Sequence, residues 1–191
     1  NVMGPIVSYY RNINDFLKVQ SGLEISPYSC VYGNMQGLSQ FSNYDDIKLP
    51  FVISGRLVSV GMYKDLRYGL IGFAPETLQE SVPAWVGIEI YSSHDVYAKI
   101  IKGEDVSVNE ILGKIIKTSW NEKDPGVDFV AEIYDKQVAY KIDNGLIKYI
   151  SVGFARDIVN KGGQYYFMNI DPKESSLVFD PKDKKAEFKP V

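Results

Sequence analysis

From Phe51 onward the chain is a succession of short β-branched and aromatic runs separated by Gly, Asn and Pro. That punctuation constrains the fold more than any other feature, because such runs suit a pleated, half-buried surface and their separators suit turns. Strands are expected over 51–60 (bent at Gly55), 68–73, 85–91, 112–120, 127–134, 148–154, 164–170 and 175–179. Residues 121–126, Asn-Glu-Lys-Asp-Pro-Gly, have turn composition and predict an antiparallel hairpin between the two strands beside them. Gly162-Gly163 gives a second hairpin signal. Helical spacing is confined to short pieces. One covers 75–80, with Pro75 at its first position. The other covers 135–145, with Asp135 as cap, Val138, Ala139 and Ile142 on one face, and Gly145 as terminator. Residues 96–110 read as a long loop and connection after His94. The expected fold is a β-rich α+β domain: an antiparallel, barrel-like sheet surrounded by a few helices.

Residues 1–50 have a different texture, rich in Ser, Asn, Gly and Tyr, with one short helix candidate over 12–19. The division drawn is an N-terminal arm or elaboration over 1–50 and a core domain over 51–191. With 191 residues the chain is long enough for one full core. Asn1 is not a natural start, which points to a trimmed or processed chain. No basic segment followed by an apolar one opens the sequence, so no signal peptide is expected. No apolar run reaches the roughly 18–20 residues of a membrane span. The net charge of −3 argues against a dedicated nucleic-acid binder. Lys182, Lys184, Lys185 and Lys189 are interleaved with acids and read as a solvated tail.

Cys30 is the single cysteine, so no intrachain disulfide can form and a reducing cytoplasm suits the chain. Counting also excludes Cys₄ and Cys₂His₂ zinc sites. The chain has no phosphate-binding loop, dinucleotide fingerprint or His-Glu-x-x-His, and neither metal nor cofactor is expected. Asp45-Asp46 is an adjacent acidic pair of the kind usually just solvated. Cys30, in the arm, is a weak candidate nucleophile.

His94 is the only histidine, so any chemistry that needs imidazole must use it. Imidazole is the usual general base near neutrality because its ordinary pKa is about 6.5. His94 follows an expected strand in Ser-Ser-His-Asp. Ser151 lies in Tyr-Ile-Ser-Val-Gly-Phe, where Tyr149 replaces the first Gly of a nucleophile elbow. Local pattern alone makes Ser151 a serine on one face of a strand.

Taken in order, five segments resemble the capsid maturation (prohead) proteases of tailed bacteriophages, which share a fold with the herpesvirus assemblins. They are the strand at 51–60 with Gly55, residues 85–95 leading to His94-Asp95, Ile111-Leu112-Gly113-Lys114-Ile115, residues 142–154 containing Ser151-Val152-Gly153-Phe154, and residues 173–181 containing Glu174. The resemblance covers roughly 140 residues, about the length of one domain. It implies an assemblin-like protease fold, with Ser151 as nucleophile, His94 as its base and Glu174 holding the imidazole. Assemblins use a second histidine in the third place, which this chain lacks, and Asp95 is the alternative to Glu174. Arg156 is a candidate near the oxyanion, alongside backbone N–H groups.

The function so implied is a serine endopeptidase that processes scaffold and major capsid precursor proteins, and itself, inside a prohead in the cytoplasm of an infected host cell. A homodimer is an expectation from the resemblance alone. Two other readings stand beside it. One is a catalytically inactive protease-like fold serving as a structural or scaffolding module of the virus particle. The other is an unrelated sheet-rich binding domain.

Overall fold

The computed structural model describes residues 43–179 and 185–191. The expected helix over 12–19, Cys30, Pro181, Lys182 and Lys184 lie outside the described residues. Chain order is β1 (Phe51–Ser59), β2 (Gly61–Asp65), β3 (Gly69–Phe73), α1 (Pro75–Ser81), β4 (Glu89–Tyr91), α2 (His94–Ile101), β5 (Ile111–Asn121), β6 (Gly126–Ile133), α3 (Lys136–Asp143), β7 (Tyr149–Lys161), β8 (Gln164–Val178) and β9 (Phe188–Pro190). Three-residue or four-residue 3-10 turns occupy Tyr44–Asp46, Val82–Trp85 and Val108–Glu110. The result is a β-rich α+β fold with few helices. Among the described residues no helix is long and apolar enough to cross a membrane.

The nine strands among the described residues form one mixed sheet in the order β2-β3-β8-β4-β5-β6-β1-β9, with β7 on β8. The expectation of a wholly antiparallel sheet is corrected here. β8 runs parallel to both β3 and β4 and antiparallel to β7. Between β3 and β4 the chain crosses over through α1, so β4 restarts in the direction of β3, as a parallel arrangement requires. β8 is the hub. Ser175 and Ser176 pair with Ile90 and Tyr91 on one flank and with Val152 and Ser151 on the other.

Local chemistry sets the elements. Asn121 Oδ1 accepts hydrogen bonds from the backbone N–H groups of Lys123 and Asp124, which folds the chain between β5 and β6. Asp135 Oδ1 accepts from the N–H of Val138 at 2.8 Å and caps α3, and Gly145 beyond its end has φ +72°. Gly162 and Gly163 have φ of +61° and +86°, which only glycine adopts readily, and they join β7 to β8 in a tight hairpin. Along β6, buried and half-buried residues alternate, and Val127, Phe129, Ala131 and Ile133 face the core. Ile53, Leu57, Ile115, Ile150 and the fully buried Trp85 complete its centre. Burying each aliphatic side chain of this kind contributes about 1.5–3 kcal/mol. Trp85 Nε1 donates to Ser81 Oγ at 3.0 Å, so its one polar atom is satisfied.

Several expectations change. The run over 85–91 shortens to β4, because Pro83 and Gly87 (φ +88°) hold its first half in a 3-10 turn and a bend. The runs over 164–170 and 175–179 merge into one strand, β8. Register shifts, and Asn169 at φ +51°, absorb Pro172 within it. The first part of the loop expected after His94 is helix α2, on which Val96 is buried. The tail is not simply solvated: β9 pairs with β1, and Lys185 Nζ bonds Asp124 Oδ1 at 2.6 Å. Before Phe51, Ile47 is buried in the core and Tyr44 meets Tyr140 edge-on at 5.6 Å.

Candidate active site

His94 and Ser151 approach β8 from opposite flanks. β4 lies against one edge of β8, and the chain leaving it becomes α2, whose first residue is His94. β7 lies against the other edge and carries Ser151. Ser151 pairs in register with Ser176, and Gly153 with Glu174. Directly opposed residues share a sheet face, so these four stand together on one side of the β7–β8 ladder.

Glu174 is the centre of this group and is 3% exposed. Its Oε1 meets His94 Nδ1, and its Oε2 accepts a hydrogen bond from Ser176 Oγ at 2.8 Å. The space for Oε1 exists because residue 153 has no side chain: a Cβ there would stand 2.3 Å from Oε1 and 3.0 Å from Cδ. The imidazole is 36% exposed against 5% for the carboxyl side chain. A sealed carboxylate therefore holds Nδ1 of a ring whose other edge reaches the surface. Nε2 makes no hydrogen bond among the described residues, which leaves it able to take or give a proton.

Of Ser151, Ser175 and Ser176 on the β7–β8 ladder, only Ser151 makes no side-chain hydrogen bond among the described residues. Ser176 is fully buried and bonded to Glu174. Ser175, also fully buried, donates to the Glu89 carbonyl at 2.9 Å. Ser151 is half-buried and its hydroxyl makes no hydrogen bond among the described residues, to His94 or to any other group. As diagonal neighbours across the ladder, Ser151 and Glu174 are separated by about 7 Å.

Tyr91 closes the far side. It is buried, pairs with Ser176 in the β4–β8 ladder and donates its hydroxyl to Glu89 Oε2. Burial pushes its phenol well above the usual tyrosine range, and the Glu89 bond and the charges of Glu89 and Glu174 act in the same direction. Its ring stacks on Tyr97 of α2 at 6.4 Å.

The other sequence candidates lie elsewhere. Asp95 is exposed in the first turn of α2, and the carboxylate on His94 belongs to Glu174. Arg156 is exposed at a register shift of β7 and makes no ion pair or hydrogen bond among the described residues. Asp45 and Asp46 are exposed in a 3-10 turn. Among the described residues no three metal-ligating side chains come together. Sequence reasoning missed Ser176, Gly153 and Tyr91 as parts of the site. The signal available for the first two was the two-residue spacing of Ser151-x-Gly153 and of Glu174-x-Ser176, which puts each pair on one face of a strand. No protein-family model, curated protein or solved structure matches the chain.

Proposed function

We propose that this chain is a serine endopeptidase in which Ser151 is the nucleophile, His94 the general base and Glu174 the group that orients the imidazole. The observation that carries the proposal is the buried Glu174 carboxylate on Nδ1 of the only histidine, with Ser151 on the same face of the β7–β8 ladder and its hydroxyl in no hydrogen bond among the described residues. A carboxylate on Nδ1 fixes the tautomer in which Nε2 is the basic nitrogen, and it stabilises the imidazolium once formed. Ser151 Oγ attacks the peptide carbonyl while its proton passes to Nε2. That proton then goes to the departing amine as the C–N bond breaks, leaving an ester on Ser151. Water, deprotonated through the same nitrogen, hydrolyses the ester and restores the serine.

The resemblance to prohead proteases supplies the substrate class: scaffold and major capsid precursor proteins, with self-cleavage, inside a prohead in the host cytoplasm, and a homodimer as the working form. It also supports the finer reading of the sheet as barrel-like. The bridge between Tyr149 and Glu187 and the bond from Ile150 N to the Ala186 carbonyl bring the start of β7 beside the segment that pairs with β1. That is where a barrel would draw its seam.

A second reading, an inactive protease-like module of the particle, is favoured by one observation: no hydrogen bond joins His94 to Ser151. Treating the full chain with a fluorophosphonate probe separates the two. Stoichiometric labelling of wild type that is absent in Ser151→Ala and greatly slowed in His94→Ala supports the protease. A wild-type chain that stays unlabelled, and leaves scaffold protein intact, sinks it.

A further inference from the structure

We infer that Ser176 is a positioning residue: its hydroxyl fixes the plane of the Glu174 carboxylate so that Oε1 is presented to His94, and the missing side chain at Gly153 leaves the room that this plane requires. The inference deepens the endopeptidase reading and rests on it for its kinetic half.

A glutamate does not choose its own carboxylate orientation. The last torsion of the side chain is broad and roughly two-fold, so the plane is set by what the two oxygens meet. In the interior both oxygens need partners, because an unsatisfied buried acceptor, above all a charged one, is strongly disfavoured. Here the two oxygens have different neighbours. Oε1 faces a half-exposed ring that must be free to change charge, and Oε2 faces a hydroxyl with no solvent access. Ser176 is held in turn by its backbone. It sits in the middle of β8, paired with Tyr91 on one flank and Ser151 on the other, so its Cβ direction is fixed by two ladders. On the opposite side of the carboxylate, a Cβ at 153 would collide with Oε1, Cδ and Cγ at 2.3–3.0 Å. The carboxylate thus has a rigid hydrogen-bond donor on one oxygen and a glycine-shaped space for the other. The same bond explains why two serines facing each other across a ladder differ in role. Ser176 donates its hydrogen bond to Glu174, and the Ser151 hydroxyl makes none among the described residues.

The single histidine makes the test unambiguous, since a carboxylate-bound Nδ1 proton gives one downfield proton resonance with no other imidazole to confuse it. Wild type, Ser176→Ala and Ser176→Thr would be compared as full chains by proton NMR and by the rate of fluorophosphonate labelling, with folding checked by near-UV circular dichroism. Ser176→Ala is expected to move or broaden the downfield resonance. It should also slow labelling roughly ten- to a hundredfold, the range for a lost hydrogen bond to a charged group, with the probe concentration at half-maximal rate unchanged. Ser176→Thr, which keeps the hydroxyl, is expected to restore both readouts most of the way. An Ala variant that is folded, labels at the wild-type rate and leaves the resonance in place overturns the inference. If wild type does not label at all, the endopeptidase reading falls, and the resonance alone decides: moved in the Ala variant it supports the positioning role, unmoved it refutes it.

Discussion

Two buried charged groups, Arg56 in β1 and Glu174 in β8, are built alike and end differently. Arg56 is 8% exposed. Its Nε donates to Asp128 Oδ1 at 2.7 Å, Nη1 to Ser59 Oγ at 3.0 Å and Nη2 to the Asp124 carbonyl at 2.6 Å. Asp128 is braced by Asn121 Nδ2, and a Cβ on neighbouring Gly126 would lie 2.3 Å from Nη1. Glu174 has the same kit: a cross-strand glycine that yields space to one atom, a serine hydroxyl on another, and a charged partner. Around Arg56 each guanidinium nitrogen ends on a backbone or carboxylate oxygen, and the partners staple the β5–β6 turn to β1. Around Glu174 the chain of contacts ends on a partly exposed ring whose Nε2 makes no hydrogen bond among the described residues. A closed network of buried charge is architecture. A network left open at a group able to titrate is where chemistry can be placed.

The contrast can be broken at either end. The largest expected effect is His94→Ala, which should cut the labelling rate of Ser151 in the folded fraction by roughly 10³-fold or more, with a secondary fall in the urea midpoint because the buried Glu174 Oε1 loses its partner. Arg56→Ala should do the reverse. Removing one side of a buried ion pair normally costs about 3–5 kcal/mol, but Asp124 and Asp128 are 51% and 35% exposed and recover water, so a loss of about 2–3 kcal/mol is expected by urea titration. Labelling of the folded fraction should be unchanged. The two glycines sharpen the same division. Gly126→Ala is expected to lower stability by about 1–3 kcal/mol with little effect on rate, and Gly153→Ala to lower the rate more than the stability. Equal behaviour of the two glycine variants would erase the distinction.

Smaller effects follow from pH. The Tyr91 phenol is raised in the folded chain, so the neutral form is favoured there. Its contribution to stability is complete below the unfolded value of about 10 and declines as pH climbs from there toward the folded value. Wild type should therefore lose stability more steeply than Tyr91→Phe between pH 9 and 11 in urea titrations. At the acid end, the Lys185 bond holds the Asp124 carboxyl below its usual range. That stability is present above the unfolded carboxylate value and fades as pH falls. Both groups are half-exposed, so Lys185→Met should cost no more than about 0.5 kcal/mol at pH 7, and less still near pH 3.

Much of the fold was legible where the determinants are local. The β5–β6 hairpin and α3 follow from Asn121, Asp135 and Gly145, each acting within four residues of itself, and the Gly162-Gly163 turn from its own backbone freedom. What was not legible depends on partners far away in sequence. Nothing near β8 announces that it will run parallel to β3 and β4. α2 carried local signals, Ser93 at its N-cap, Asp95 in its first turn and Lys99 in its last, that the reading of a loop passed over. The candidate residues were legible as types and order. Their roles were not, because the carboxylate on His94 lies 80 positions away, and the difference between Ser151 and Ser176 is one of hydrogen bonding and burial.

The place of β8 in the sheet has a consequence in time. A chain made from its N-terminus acquires His94 first and Ser151 next, and both are present before the strand that unites them exists. A chain ending at Gly163 holds His94 and Ser151 but neither Glu174 nor Ser176, and its β4 and β7 have no strand between them. Long-range pairings of this kind close late, after the loop entropy between their ends has been overcome. The order of synthesis thus leaves His94 and Ser151 without the strand that lies between them until nearly the whole core is in place.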